Sequence, residues 1–136
     1  MRAITIKAPW TVPILSGAKT VENRRQPTEW RGPLAIHVSR SWCPIGAADP
    51  RVRLAAYLAP AVRDIALTIG AVIAIADLTD CHRATDDCCP TWGDRDCWHL
   101  VLRQVRRLPH PLPARGSLGV WTPNPVLASA IRMATQ

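Results

Sequence analysis

The chain has 136 residues, of which 48% are hydrophobic and 20% are charged. This composition excludes a disordered tail and fits one globular domain with its own core. The formal net charge is +7, yet residues 77–96 hold six aspartates against two arginines, so the rest of the chain is more basic still. A basic body favours an anionic partner such as nucleic acid or a nucleotide. The alternative is that the many arginines reflect a GC-rich genome and no particular partner.

Two features of the sequence bear on its compartment. No stretch approaches the roughly 20 apolar residues of a membrane-spanning helix, and the apolar run GAVIAIA (70–76) is only as long as a strand. The start, MRAITIKAPW, lacks the apolar region of a signal peptide, which predicts a cytoplasmic protein with no membrane partner. Its five cysteines are then expected to be free or metal-bound rather than disulfide-paired.

The first half of the chain predicts three strands and two helical regions from its apolar spacing. In chain order these are a strand (3–9), a short helix closed by Gly17, a short strand (19–24), a buried strand (31–39) and a helical stretch (50–69). Pro60 lies inside the helical stretch and is expected to break or kink it.

The second half predicts three more strands and a terminal helix. In chain order we expect a buried strand (70–82), a polar loop (83–96), a long strand (97–108), a proline-rich connection (109–117), a short strand (118–121) and a helix (125–134). About six strands and two or three helices without a β-α-β rhythm predict an α+β fold, a small mixed β-barrel. No repeat or linker divides the chain, which we interpret as a single domain over 1–136.

The stretch GAKTVENR (17–24) places two cations and an acid beside a glycine turn. On a strand, Glu22 and Arg24 would share one face about 7 Å apart, and Lys19 could swing towards the same face. The pattern predicts one carboxylate between two cations, either as a solvated ion-pair strip or as a functional site.

GAKTVENR also resembles the Gly-x-Lys-x-x-Glu-x-Arg motif of ASCH domains (activating signal cointegrator homology), a branch of the PUA-like barrels. Other segments are similar to that family in the expected order, namely IKAPW, RGPLAIHVSRSW, DLTDCH, CPTWGD and VRRLPHPLPARGSLGVW. The resemblance covers about residues 3–124, with a C-terminal helix in 125–136. It implies a PUA-like (ASCH) barrel with flanking helices and a basic cleft at the Gly-x-Lys motif.

The resemblance further implies that the cleft binds RNA, a nucleotide or a nucleoside. It also implies ribonuclease activity or, as in a related branch, hydrolysis of the acetyl group of 4-acetylcytidine. Lys19, Glu22 and Arg24 become the catalytic candidates, with Glu22 as the base and the cations stabilising developing negative charge. In the deacetylase branch a threonine stands three residues after the lysine, where this chain has Glu22.

Further residues are candidates for contacts with the nucleic acid, as cations, hydroxyls or stacking surfaces: Trp10, Arg25, Ser39, Arg40, Ser41, Trp92 and Arg115. No cofactor is required for either reaction, and a divalent metal ion is retained as an option. Two alternatives to an enzyme stay open, a non-catalytic RNA-binding module and a reader of modified bases. The oligomeric state is left open.

Cysteines and histidines are concentrated between residues 81 and 99. Six of them are of the types that bind zinc, namely Cys81, His82, Cys88, Cys89, Cys97 and His99. Their spacing is not that of a paired C-x-x-C knuckle, so three interpretations remain: free thiols, a structural metal site, or a disulfide from Cys81 to Cys88 or Cys89. Outside this group, His37 is predicted to be a neutral, hydrogen-bonded strand histidine.

Overall fold

The computed structural model describes residues 1–136. Its six strands are β1 (Arg2–Ala8), β2 (Val21–Arg24), β3 (Gly32–Trp42), β4 (Ala71–Arg83), β5 (Trp98–Pro113) and β6 (Val120–Trp121). The five helices are α1 (Thr11–Leu15), α2 (Pro44–Ala48), α3 (Pro50–Leu58), α4 (Pro60–Ala66) and α5 (Pro125–Ala134). None of these helices has the length and apolar character needed to cross a membrane.

The strands form one mixed sheet in the order β2-β5-β4-β3-β1-β6. Only β1 and β3 are parallel, and every other neighbouring pair is antiparallel. Irregularities interrupt the β1–β3, β3–β4 and β4–β5 ladders, and such bulges bend and twist a sheet. The result is a half-barrel with five flanking helices, which confirms the predicted α+β, PUA-like architecture.

Apolar side chains pack against both faces of this sheet. Successive residues of a strand point to opposite faces, so Ile4 and Ile36 join the cluster inside the half-barrel, whereas Ala3 and Ala35 join a second cluster. Ile131 of α5 is fully buried in that second cluster. α5 is therefore docked on the outer face of the sheet, over a cluster that also includes Trp121 of β6.

The open edge lies between the two end strands, β2 and β6. A cavity at this seam is lined by Arg24 of β2 and Val120 of β6. The Arg24 guanidinium crosses the seam and donates a 2.8 Å hydrogen bond to the carbonyl oxygen of Thr5 on β1. The charged residues of β2 are thus held at the gap where the barrel does not close.

Several boundaries differ from those predicted. β3 continues to Trp42, so Arg40 and Ser41 lie on the strand instead of following it. The break expected at Pro60 is confirmed, since the helical stretch over 50–69 is divided there into α3 and α4. The short helix α2 was not predicted, because five residues are too few to display helical periodicity.

The prediction of a proline-rich connection from residue 109 was wrong for its first half, because β5 runs on to Pro113. Leu112 and Pro113 pair with Val72 and Ala71 of β4. Prolines occupy every second position here (109, 111 and 113), so their missing N–H groups all fall on one edge of the strand. Proline is tolerated where that edge is unpaired, and β2 pairs with β5 only over residues 98–101.

Candidate functional site

Lys19 and Glu22 form a buried pair next to β2. The Lys19 Nζ lies 3.9 Å from Glu22 Oε1 and also donates to the carbonyl oxygen of Val21. Lys19 is 3% exposed and Glu22 is 9% exposed, so the pair is not the solvated ion-pair strip that the sequence left open. Glu22 Oε2 is buried without any hydrogen-bond partner. Such an atom is rare because an unmade buried hydrogen bond is costly.

Two adjoining cavities surround this pair. Their volumes are about 390 Å³ and about 260 Å³, and they share Trp10, Glu22, Asn23 and Cys43 as lining residues. We call these two cavities together the Glu22 cleft. A larger cavity of about 690 Å³ lies beside it and shares Ser39 with it. The unpartnered carboxylate oxygen therefore belongs to a residue that lines both cavities.

Most of the residues singled out from the sequence lie around this space. The Glu22 cleft is lined by Trp10, Lys19, Glu22, Arg24, Arg25, Ser39 and Trp92. Arg40 and Arg115 line the larger cavity instead. Ser41 is exposed and lines neither, although its N–H donates to the Ser39 hydroxyl.

Trp92 forms one wall of the cleft, and polar contacts hold it there. Asn23 donates from Nδ2 to the carbonyl oxygen of Trp92, 2.9 Å, and accepts at Oδ1 from the N–H of Asp94, 2.8 Å. The Arg51 guanidinium lies 4.2 Å from the centre of the Trp92 ring, within the range of a cation–π contact. Asp49 holds that guanidinium through an ion pair of 2.6 Å. The loop between β4 and β5 is thus tied to β2 and to α3.

Trp10 forms another wall of the cleft. Its indole N–H donates to Cys43 Sγ over 3.2 Å, and Lys19 Nζ lies 5.7 Å from its ring centre. Gly46 of α2 allows the indole to lie close, since a Cβ at that position would stand 2.9 Å from the ring. The indole therefore fills the space that a larger residue at position 46 would take.

Cys43 was not singled out from the sequence, although it lines both halves of the cleft. Partial burial alone would raise the pKa of its thiol. Hydrogen bonds from the N–H groups of Gly46 and Ile45 and from the Trp10 indole, with the nearby charge of Lys7, outweigh that effect and lower the pKa. The only sequence signal would have been its position before the proline that begins α2.

His37 is part of a hydrogen-bonded chain under the larger cavity. Its Nε2 lies 2.7 Å from the carbonyl oxygen of Ala114, and its Nδ1 lies 3.2 Å from the hydroxyl of Thr5. That hydroxyl in turn accepts from the Trp121 indole over 3.1 Å. Because a carbonyl only accepts, Nε2 carries the proton and Nδ1 accepts from Thr5. Every polar atom of the buried His37 ring has a partner, which is the arrangement of a structural histidine.

The cysteine- and histidine-rich segment separates into two groups. The ligand atoms of His82, Cys88, Cys89 and His99 all lie within 4.8 Å of one another. The sulfur atoms of Cys88 and Cys89 are at bonding distance, so the disulfide considered from Cys81 is not formed. Cys81 and Cys97 are free thiols outside the group, and Cys97 contacts Asn23 Oδ1 instead.

Comparison with solved structures agrees with this architecture. A crystal structure of ASCH from Zymomonas mobilis superimposes with a TM-score of 0.60 and 14% sequence identity, covering 99% of this chain and 96% of that one. A tyrosine-to-phenylalanine mutant of the same protein gives a TM-score of 0.58 at 14% identity, covering 97% and 96%. The chain has the ASCH fold.

At 14% identity the comparison shows that the fold is shared. It does not show that the side chains of the cleft correspond to those of the Zymomonas protein. No protein-family model matches the sequence, and no curated protein matches it either.

Proposed function

We propose that the Glu22 cleft binds RNA or a single nucleotide, with a base between the two tryptophan walls. The observation that carries the proposal is Glu22 Oε2, a buried carboxylate oxygen with no donor of its own in a residue that lines the cleft. The amino groups of adenine, guanine and cytosine are donors of the kind that this oxygen lacks. Trp10 and Trp92 offer flat faces on which a base can stack.

The charges around the cleft support a phosphate-bearing ligand. Five cations line it against two acids, the cations being Lys7, Lys19, Arg24, Arg25 and Arg51 and the acids Glu22 and Asp94. Lys19 is occupied by the Val21 carbonyl and by Glu22. Arg25 is exposed at the rim, where a guanidinium can bind two phosphate oxygens at once.

The test is a binding titration of the wild type and the Glu22→Gln variant with short single-stranded RNAs and with mononucleotides. Glutamine has the shape of glutamate but only one acceptor oxygen and no charge, so we expect affinity to fall about 10- to 100-fold, the range of a hydrogen bond to a charged group. Glu29→Gln, a matched change at an exposed site, should leave affinity unchanged. The proposal is overturned if the wild type binds none of these ligands or if Glu22→Gln binds as tightly as the wild type.

A second candidate function is hydrolysis of the bound RNA or of a modified nucleoside such as 4-acetylcytidine. It is favoured by the same geometry, because a carboxylate with one free oxygen can take a proton from a 2′-hydroxyl or from water. Lys19 lies beside it and would stabilise negative charge that develops on the reacting group. In this scheme Glu22 is the base, while Arg24 and Arg25 position the phosphate.

Incubation of the protein with labelled single-stranded RNA and with 4-acetylcytidine, each with and without a divalent metal, separates these functions. If turnover occurs, Glu22→Gln should abolish the product, whereas Arg25→Ala should raise KM and leave kcat nearly unchanged. Retention of ligand without any product would leave binding as the function and remove the hydrolytic candidate.

A further inference from the structure

The four side chains of His82, Cys88, Cys89 and His99 come from one hairpin. His82 on β4 and His99 on β5 are directly opposite each other in the antiparallel ladder, and their ring centres are 5.3 Å apart. Cys88 and Cys89 come from the loop that joins these two strands. Two strands and their connection thus direct two imidazoles and two sulfurs to one point.

In each histidine, the outer nitrogen, which is the one facing away from the sulfurs, already has a hydrogen-bond partner. His82 Nδ1 lies 2.7 Å from Asp80 Oδ2, and His99 Nε2 lies 2.7 Å from the carbonyl oxygen of Asp94. Because both partners accept, the outer nitrogens carry the protons, and the inner nitrogens present lone pairs to the sulfurs. An imidazole fixed from behind by a carboxylate or a carbonyl is the usual arrangement of a metal-ligating histidine.

The loop backbone is shaped so that adjacent cysteines face the same point. Successive side chains of an extended chain point to opposite sides, but Cys89 has a φ of +58°, which redirects its side chain. Gly93 closes the turn by donating to the Cys89 carbonyl over 2.8 Å. A Cβ at Gly93 would lie 2.6 Å from the His99 ring and 2.8 Å from the Cys89 Cβ, so the turn has no room for a larger residue.

We infer that the reduced protein binds one zinc ion through His82 Nε2, Cys88 Sγ, Cys89 Sγ and His99 Nδ1. Thiolate and imidazole are the ligands that zinc prefers, in tetrahedral sets of four. With Zn–S of about 2.3 Å and Zn–N of about 2.0–2.1 Å, tetrahedral ligand atoms stand about 3.3–3.8 Å apart. The separations from His82 Nε2 to Cys89 Sγ (3.7 Å) and from Cys88 Sγ to His99 Nδ1 (3.9 Å) are close to these values. The 2.9 Å separation of His82 Nε2 from Cys88 Sγ and the two bonded sulfurs are closer than this, so Cys88 Sγ has to move away from both when the ion binds.

A Cys88–Cys89 disulfide is the competing state of the same four residues. Disulfide sulfurs carry no hydrogen, so the inner nitrogens of His82 and His99 would face no donor. His99 is 1% exposed, and water cannot readily satisfy it. In the reduced protein, a cation at the centre satisfies all four ligand atoms at once. The disulfide state offers the two nitrogens no such partner.

The zinc site would also fix a wall of the Glu22 cleft, and this part of the inference rests on the proposed function. Trp92 and Asp94 line the cleft, and they lie between Cys89 and His99 in the sequence. The carbonyl that orients His99 belongs to Asp94 itself. Zinc would therefore hold the loop that presents Trp92 to the ligand.

The test uses the full chain purified with a reductant. We expect about one zinc per chain by elemental analysis. After exchange with Co²⁺ we expect a thiolate-to-cobalt charge-transfer band and the intense visible bands of a tetrahedral site. Cys88→Ser and Cys89→Ser each remove a ligand and should weaken metal affinity at least about 100-fold, which is the upper range for loss of a group that only orients a ligand. Cys81→Ser, at a free thiol outside the group, should bind as the wild type does.

Three results would overturn the inference. They are a reduced protein with no zinc and no tetrahedral Co²⁺ spectrum, equal loss of metal in Cys81→Ser, and a Cys88–Cys89 disulfide that persists in excess reductant by peptide mass. None of these readouts involves RNA or nucleotide, so a failed Glu22 cleft would not alter them. Conversely, if zinc binds but its removal leaves nucleotide affinity unchanged, only the link between zinc and the cleft wall is wrong.

Discussion

The side-chain amide of Asn23 on β2 donates a 2.9 Å hydrogen bond to the backbone carbonyl of Trp92. The same amide accepts from the N–H of Asp94, so one residue holds both ends of the segment that forms a cleft wall. Asn23 lies on the edge strand next to Glu22. The loop and the proposed base are thereby held by neighbouring residues of one short strand.

Asn23→Ala should both destabilise the protein and weaken ligand binding. It leaves a carbonyl and an N–H of the loop without partners, which costs about 1–3 kcal/mol in the free energy of unfolding. Urea unfolding and an RNA titration measure the two effects. Asn124→Ala is the matched control, since Asn124 caps α5 by accepting from the Leu127 N–H and its loss costs about 1 kcal/mol far from the cleft. Equal RNA affinity in the two variants would show that Asn23 does not order the wall.

Lys19 and Glu22 should be energetically coupled. Lys19→Met leaves a buried carboxylate without its cation, which costs about 3–5 kcal/mol in the free energy of unfolding. When Glu22 is also changed to Gln, no charge remains to be compensated, so the double variant should be more stable than the sum of the single changes predicts. A double-mutant cycle in urea tests this. If the effects of the single changes are additive, the two groups contribute no coupling free energy despite their 3.9 Å separation.

Thr5→Val tests how much the hydrogen bonds that link Trp121, Thr5 and His37 contribute to stability. Valine keeps the shape of threonine but removes the hydroxyl that accepts from the indole and donates to Nδ1. The buried His37 ring and the partly buried Trp121 indole each lose a partner, and we expect a loss of about 2–4 kcal/mol in the free energy of unfolding. Thr5→Ser keeps the hydroxyl and should lose much less. If the two variants unfold at the same urea concentration, the hydroxyl contributes nothing to stability.

Cys43 should react with an alkylating reagent at unusually low pH. The thiolate is the reactive form, and the lowered pKa of Cys43 places the midpoint of its alkylation profile below that of a free cysteine in the same buffer. Trp10→Phe removes the indole N–H that contacts the sulfur and should raise that midpoint. Peptide-level mass spectrometry across pH distinguishes Cys43 from the other cysteines. A midpoint at or above that of free cysteine contradicts the assignment.

Asp49 should make stability depend on pH in the acid range. A hydrogen bond from Arg51 lowers the pKa of this carboxyl, so folding favours its charged form. The resulting stability is complete above the unfolded pKa of about 3.9 and is lost as pH falls through the folded pKa. Because the pair lies near the surface, the contribution is below about 1 kcal/mol.

Asp49→Asn keeps a helix-capping side chain but not the charge, which isolates this effect. The difference in unfolding free energy between the wild type and Asp49→Asn should shrink as pH falls from 6 to 3. Glu29→Gln serves as the reference for removal of an exposed carboxylate. A difference that stays constant over this range would exclude the assigned role of the Arg51 contact.

The sheet could be predicted from local patterns, because alternation and apolar runs report burial residue by residue. The run over 70–76 gave β4, and the short charged strand after Gly17 gave β2. The extension of β5 through the prolines could not be predicted locally. It depends on which edge of the strand is left unpaired, and that is a property of the assembled sheet.

The residues of the candidate site could be predicted from the sequence, but how deeply they are buried could not. The spacing of Lys19 and Glu22 indicated that they could meet, but only the fold shows that both are buried. The grouping of His82 with His99 depends on strand register, and the inward turn of Cys89 depends on a positive φ. Cys43 and Asn23 carry no distinctive local pattern, since their roles come from partners distant in sequence.

The pairing of β1 with β6 has a consequence for how the protein folds. Ala3 pairs with Trp121 and Ile4 with Val120, so the sheet joins segments from nearly opposite ends of the chain. Contacts of such high sequence separation slow folding, since the intervening loop must be ordered first. Gly119 and its neighbours also line the Glu22 cleft, so the binding surface is complete only once the last strand has joined the sheet.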